Sequence, residues 1–311
     1  MKDLFSLVVG EDNVKLNEPL SAHTTFRIGG PCDAMVFPHS VDELVEVVRI
    51  CKQEGLDYFV LGKGSNILVS DKGVRGVVIA TECLRALFIQ DTAICASAGL
   101  SLINVSKACA ELGLSGLEFA SGIPGSIGGA AYMNAGAYDG EMKDVVTSVT
   151  VLDEAGNVRE IHASEMNFSY RHSRLKDEPL ICLAVTMQLK DGDKKDILAH
   201  IADLSERRSS RQPLALPSAG STFKRPTGYY AGPLIIEAGL QGYTVGGAQV
   251  STKHAGFVVN VGDATANDVI TLIHHVQQTV KEHHGVNLET EVRFIGEWDD
   301  HPLYHEILRA E

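Results

Sequence analysis

The hydrophobic positions in the first eighty residues follow first a helical period and then short strand-like runs. After Ser40, apolar residues recur every three or four positions up to Gly55, and Ser40 with Glu43 has the spacing of a helix capping box. Buried strands are predicted from three short apolar runs, at 58–61, 67–69 and 77–79. Residues from about 18 to 85 are therefore expected to form a small α+β unit.

A second group of elements begins near Ala93. Its pattern predicts a helix over 101–112 that ends at Gly113. Strands are predicted at 93–98, 145–152, 158–162 and 180–189, of which the last three suit an antiparallel sheet. This second unit is expected to span residues 86–192.

The composition changes at Asp191–Asp193, where a polar helix over 194–208 leads into a third unit. There the pattern predicts strands over 255–261 and 288–295 and a long amphipathic helix over 265–282. We therefore expect two domains: a first region over 1–192, made of the two small units, and a second over 193–311.

Composition and charge exclude several classes of protein. The 311 residues are 44% hydrophobic and 22% charged, a globular balance that excludes disordered and fibrous chains. The 40 acidic and 27 basic residues give a net charge of −13. Nucleic acids and anionic membranes are bound through basic faces, so neither is an expected partner. An anionic small molecule suits such a chain only where basic residues cluster locally.

The remaining composition signals predict a cytoplasmic protein without a structural metal. The six cysteines are scattered without a CxxC pair, which favours reduced thiols. The first ten residues do not resemble a signal peptide, and no apolar run approaches the roughly 18 residues of a membrane span. The histidine pairs at 274–275 and 283–284 are adjacent on a helix, where neighbouring side chains point about 100° apart, so no metal site is expected.

Two glycine-rich loops have the composition of phosphate-binding loops. Gly62–Asn66 directly follows a predicted strand, and Gly122–Gly129 contains Pro124 in the place of a first helical residue. Loops this poor in side chains let main-chain N–H groups surround an anion. Neither loop has the ending of a Walker A motif or the spacing of a Rossmann fingerprint. Together they suit a cofactor with two phosphates better than two unrelated turns.

The chain resembles the UDP-N-acetylenolpyruvoylglucosamine reductase family, in its shorter subtype without an inserted tyrosine loop. The matching motifs run in family order from about residue 20 to 296: 24–30, 61–69, 121–130, 134–138, 170–173, 220–226, 255–260 and 289–296. The resemblance implies an α+β fold of the vanillyl-alcohol-oxidase (PCMH) type that binds FAD in the first region, with a C-terminal α+β substrate-binding domain. It further implies reduction of a UDP-sugar enolpyruvate by NADPH in peptidoglycan precursor synthesis.

The resemblance also implies roles for individual residues. Arg171 and Glu291 would handle the negative charge of an enolate-like intermediate, and Ser221 would donate the proton. The cofactor-binding residues would be Gly62, Lys63, Gly64, Ser65, Asn66, Ile67, Ser121, Gly122, Ile123, Gly125, Ser126 and Gly128. The substrate, which carries a diphosphate and a carboxylate, would be bound by Lys224, Arg225, Lys253, His254 and Asn260.

Some positions stay open at this level. Asn260 could contact the substrate or cap a turn, and Arg207 and Arg208 could form a solvated helix end. Gln241 stands where the family commonly has Lys, which removes one cation from the expected diphosphate site. Two other functions remain possible: another FAD-dependent oxidoreductase of the same superfamily, such as an oxidase, or a nucleotide-binding module without catalysis.

Overall fold

The computed structural model describes residues 1–309. Its α-helices are α1 (Lys2–Val9), α2 (Val41–Gln53), α3 (Leu102–Glu111), α4 (Ile127–Tyr132), α5 (Lys194–Arg211), α6 (Ala231–Glu237), α7 (Ala266–His284) and α8 (Tyr304–Arg309). Its strands are β1 (Val14–Pro19), β2 (Pro31–Val36), β3 (Tyr58–Leu61), β4 (Ile67–Val69), β5 (Val74–Ala80), β6 (Leu87–Gln90), β7 (Ala93–Ser97), β8 (Leu114–Ser115), β9 (Gly136–Ala137), β10 (Gly140–Glu141), β11 (Val146–Leu152), β12 (Val158–His162), β13 (Ile181–Gln188), β14 (Lys190–Asp191), β15 (Ser218–Ser221), β16 (Thr244–Val245), β17 (Ala248–Val250), β18 (Phe257–Asn260) and β19 (Arg293–Ile295). Within residues 1–309, no helix has both the length and the apolar composition that crossing a membrane requires.

The chain divides into two compact units that are not continuous in sequence. Of the described residues, the first unit contains 1–16, 34–63 and 77–208, and the second contains 17–33, 64–76 and 209–309. This division differs from the expected one at residue 192, because most of α5 belongs to the first unit and two short N-terminal segments belong to the second. The functional domain boundary itself stays a prediction.

The first unit contains a five-stranded antiparallel sheet in the order β12-β11-β13-β7-β6. Val149 and Val151 of β11 and Val185 and Met187 of β13 are fully buried, as expected for alternating residues on one face of a sheet. Apolar residues of α3 and α4 belong to the same core cluster. A second cluster joins α1, α2 and the end of β5. The second glycine-rich loop, 122–129, follows α3 in the chain and includes the first residues of α4.

The second unit contains a four-stranded antiparallel sheet, β15-β18-β17-β16, and the parallel pair β4 and β19. Helix α7 contributes a fully buried apolar face to its core. Thr265 and Asp268 form a reciprocal capping box at the start of this helix, and Gly285 ends it in the left-handed conformation at φ 67°. The carboxylate of Asp71 also accepts N–H bonds from Ala266 and Asn267. The strand β4 is therefore tied to both β19 and α7.

Most predicted elements occur within a few residues of their expected positions, and three details differ. The expected helical position of Pro124 is wrong, because α4 begins at Ile127 with Ser126 as its N-cap. Only half of the capping box at Ser40 forms: the Ser40 hydroxyl accepts the N–H of Glu43, but the Glu43 carboxylate accepts the N–H of His39 and not that of Ser40. The last strand is limited to 293–295, because Thr290 makes only an isolated bridge.

Candidate active site

The second glycine-rich loop is fixed in the first unit by main-chain hydrogen bonds to the segment that joins β7 and α3. The N–H of Ile127 donates to Leu100 O at 2.9 Å, and the N–H of Gly128 donates to Ala98 O at 2.9 Å. A Cβ on Gly128 would lie 2.8 Å from the Ala98 Cβ, so only glycine permits this approach. The loop therefore has a defined shape without a side chain at this position.

The start of the first glycine-rich loop meets the second loop within the first unit. A Cβ on Gly62 would overlap the Ser126 Oγ, which itself accepts the N–H of Gly129 at 3.2 Å. Among residues 1–309, no acceptor is found for the main-chain N–H groups of Lys63, Gly122 and Gly125. Converging loops with free N–H donors and no side chains fit a diphosphate such as that of FAD.

Arg208, at the end of the first unit, lies against this loop. Its Cδ is 2.8 Å from the place of a Cβ on Gly122. Burial lowers the pKa of Arg208 below its ordinary value, and nearby Tyr138 acts in the opposite direction. No carboxylate within the described part of the chain forms an ion pair with Arg208, whereas Arg207 pairs with Asp203 at 2.7 Å. A partly buried cation without an acidic partner favours an anion at the loop.

The rest of the first loop belongs to the second unit. Gly64 has a φ of 58°, and a Cβ there would overlap the carbonyl oxygen of His23. The carbonyl of Gly64 also accepts the N–H of Thr25 at 3.1 Å. Asn66 donates from Nδ2 to the carbonyl of Glu291 at 3.1 Å. Chain packing thus explains the glycine at position 64 and engages the Asn66 amide; cofactor binding by either residue stays a prediction.

Ser221 and Glu291 lie on neighbouring segments of the second unit. The N–H of Glu291 donates to Thr222 O at 2.8 Å, and Lys224 N–H donates to Glu289 O at 2.9 Å. An irregular register between Ser218 and Ser221, with Gly220 at a φ of 79°, bends the strand next to the serine. The structure therefore brings these two predicted catalytic residues together. No hydrogen bond to the Ser221 hydroxyl occurs among residues 1–309.

Arg171 lies in the first unit with an uncommon backbone conformation. Its φ is 55°, a left-handed value that only a few per cent of non-glycine residues adopt. Its Nη2 donates to Gly136 O at 3.3 Å, and its guanidinium lies 5.0 Å from the centre of the Tyr170 ring. Lys176 donates to the carbonyl of Arg171 at 3.3 Å. Such backbone strain often occurs at functional sites, and the catalytic role of Arg171 stays a prediction.

The predicted substrate-binding cations all lie in the second unit and already have protein contacts. Lys224 Nζ is 2.8 Å from Glu289 Oε2, and the Arg225 guanidinium stacks at 3.9 Å over the Tyr230 ring. Lys253 Nζ donates to Ser209 O at 2.6 Å. Substrate binding by these residues would therefore exchange existing contacts, and it stays a prediction.

The two other predicted substrate residues, His254 and Asn260, form hydrogen bonds with the main chain. His254 Nδ1 accepts the N–H of Gly256 at 3.2 Å, and burial lowers the pKa of its imidazole. Asn260 is buried; its Oδ1 accepts the N–H groups of Gly262 and Ala264, and its Nδ2 donates to Phe26 O. For Asn260, these bonds support the turn-capping alternative.

Comparison with known proteins finds matches over both regions of the chain. The family model for an FAD binding domain matches residues 32–162, and the one for the UDP-N-acetylenolpyruvoylglucosamine reductase C-terminal domain matches 212–295. The reductase of that name from Limosilactobacillus fermentum is 51% identical over 286 residues, 92% of this chain and 95% of the relative. The one from Caldanaerobacter subterraneus is 48% identical over 95% of this chain and 98% of its own.

The chain belongs to the UDP-N-acetylenolpyruvoylglucosamine reductase family. A solved reductase of this family, from Thermus caldophilus, covers 90% of this chain and 97% of its own with a TM-score of 0.77 at 35% identity. The expected α+β FAD-binding fold is confirmed, and the protein is an FAD-dependent oxidoreductase of peptidoglycan precursor synthesis.

Sequence analysis left the role of Arg208 open and did not find the bond between Asn66 and Glu291. The helical spacing could have indicated Arg208. This residue follows the buried Leu204 by four positions and so lies on the same face of α5. No comparable signal existed for the bond between Asn66 and Glu291, which are 225 residues apart in sequence.

Proposed function

We propose that the protein reduces UDP-N-acetylenolpyruvoylglucosamine to UDP-N-acetylmuramate with NADPH as the electron donor. The observation that carries the proposal is the hydrogen bond from Glu291 N–H to Thr222 O, which joins the two predicted catalytic segments of the second unit. It occurs in a chain whose first unit has a glycine cradle that fits FAD. Bound FAD would accept a hydride from NADPH and pass it to the terminal carbon of the enolpyruvyl group.

The residues of this chain would handle the charge and the proton that this hydride leaves behind. Hydride addition places negative charge on the adjacent carbon and its carboxylate. Arg171 would bind this carboxylate, for which a guanidinium has two matched donors. Glu291 would assist as a protonated or hydrogen-bonded group, because an ionised carboxylate would repel the enolate.

Ser221 would supply the proton to that carbon. A serine hydroxyl is a weak acid, so this role requires a strongly basic intermediate, which the enolate provides. The absence of a hydrogen bond to its hydroxyl among residues 1–309 leaves Ser221 available for this transfer.

The same proposal includes the remaining binding roles. The two loops and Arg208 would bind FAD, and the cations Lys224, Arg225 and Lys253 would bind the diphosphate of the substrate. The location in the cytoplasm, and the absence of nucleic-acid and membrane partners, stay predictions.

An anaerobic visible spectrum tests the proposal. The purified protein should be yellow, lose its colour with NADPH, and regain it only when UDP-N-acetylenolpyruvoylglucosamine is added. Bleaching without recolouring, or rapid reoxidation by oxygen with turnover of an alcohol, would assign another oxidoreductase activity. A protein that stays colourless with added FAD would contradict the proposal and favour a nucleotide-binding module.

A further inference from the structure

Asn66 holds the Glu291 segment with both its side chain and its main chain. Its Nδ2 donates to Glu291 O at 3.1 Å, and its own carbonyl accepts the N–H of Arg293 at 3.0 Å. On the other side, Glu291 N–H donates to Thr222 O at 2.8 Å. Both main-chain polar groups of Glu291 are therefore bonded, one to the strand of the predicted proton donor and one to Asn66.

The Asn66 bond replaces a strand contact that this part of the chain lacks. Regular pairing of β19 with β4 starts only at Arg293, which is aligned with Ile67, and Thr290 makes only an isolated bridge with Phe223. Glu291 thus lies between two pairings, and the Asn66 side chain donates to its carbonyl there. Because small displacements of a catalytic group slow reactions strongly, this contact bears on the reaction and not only on folding.

We infer that the side chain of Asn66 positions Glu291, and that its motif binds FAD through glycines and main-chain N–H groups instead of through this amide. The inference rests on the proposed function, because it takes Glu291 as a group that acts on the intermediate. Asn66 follows Gly62 of the cofactor cradle by four residues. One short motif would therefore supply glycine to the FAD site and an amide that fixes the main chain of Glu291, from which its carboxyl group extends.

Ser70 offers a matched control at the other end of β4. Its Oγ donates to Glu297 O at 2.7 Å, so it too is a polar side chain beside β4 that bonds a carbonyl beside β19. Both of these hydrogen bonds are partly buried, but the partner of Ser70 is six residues beyond Glu291. Replacing it removes a similar bond between the same two chain segments without touching the Glu291 carbonyl.

The experiment compares Asn66→Ala with Ser70→Ala in the FAD-loaded protein. Both should keep wild-type flavin stoichiometry and the wild-type rate of bleaching by NADPH, and both should lose similar thermal stability. Only Asn66→Ala should slow flavin reoxidation by UDP-N-acetylenolpyruvoylglucosamine, by about 10–100-fold, the range for a slightly misplaced catalytic group. The loss should appear in kcat, with KM nearly unchanged.

Asn66→Asp is the second variant, in case the alanine protein does not fold. It keeps the shape of the side chain but its carboxylate has no donor for Glu291 O, so it should be at least as slow in reoxidation. Equal reoxidation rates for the Asn66 variants and Ser70→Ala would overturn the inference, as would loss of FAD from the Asn66 variants alone. A wild-type protein that bleaches but is not reoxidised by this substrate would instead overturn the proposed function.

Discussion

The two units place their candidate functional residues in opposite ways. In the first unit, Gly62, Gly122 and Gly128 provide space, since a Cβ at each position would meet Ser126, Arg208 or Ala98. In the second unit, a main-chain hydrogen bond joins Thr222 to Glu291, and the Asn66 side chain bonds the Glu291 carbonyl. Cofactor binding thus depends on glycines that leave room for the ligand. The proposed catalysis depends on hydrogen bonds that fix the main chain next to the catalytic residues. Substitutions in the two units should consequently affect different measurements.

The largest effect is expected in the second unit, at Ser221. Ser221→Ala should leave flavin content and the rate of NADPH bleaching unchanged, because neither requires proton donation to the substrate carbon. Flavin reoxidation by the enolpyruvyl substrate should fall by about 10²–10⁴-fold, the contribution of general acid catalysis. Stopped-flow absorbance of the two half-reactions measures both rates. An equal fall in the bleaching rate would contradict the assigned role.

In the first unit, a substitution at Gly62 is expected to affect FAD binding. Gly62→Ala should weaken FAD binding by about 10–100-fold, since its Cβ overlaps Ser126 Oγ and overpacking costs about 1–3 kcal/mol. Ser126→Ala removes that oxygen and the cap of α4, at about 1 kcal/mol of stability. FAD titration of the double variant should therefore give an affinity close to that of Ser126→Ala alone. Simple addition of the two losses would exclude this contact as the cause.

A smaller effect on the same measurement is expected from Arg208. Arg208→Gln should weaken FAD binding by about tenfold, since a hydrogen bond to a charged group contributes roughly 1.5–3 kcal/mol and this site is partly exposed. Arg207→Gln is the control, because Arg207 is exposed and pairs with Asp203. Added salt should reduce the difference between the two variants. Unchanged FAD affinity with a raised substrate KM would assign Arg208 to the substrate instead.

The difference between the two units also shows which structural features the sequence could predict and which it could not. Periodicity placed the sheet strands and the long helix α7, since these follow from local apolar spacing. The glycine loops were visible because their composition is itself unusual. Local patterns could not show which distant residues each residue contacts. Gly64 is glycine because the carbonyl oxygen of His23 approaches it, and the carbonyl that Asn66 bonds lies 225 residues away in sequence. The short β19 has the same origin, since its length is set by β4.

The smallest effect is expected from a half-buried base in the second unit, His254. Burial lowers the pKa of this imidazole below its ordinary value of 6.5, and protonation of Nδ1 would remove the acceptor of the Gly256 N–H. The unfolded chain then binds the proton more readily than the folded one, so stability falls as the pH drops through about 6.5 and below, and is unaffected well above it. His254→Gln should reduce the loss of Tm between pH 7.5 and 5.5 by on the order of 1–2 °C, because 1 kcal/mol corresponds to about 2–4 °C in a chain of this size. Thermal unfolding at both pH values, with the exposed His305→Gln as control, measures this difference, and an equal pH response of the two variants would show that His254 does not contribute to it.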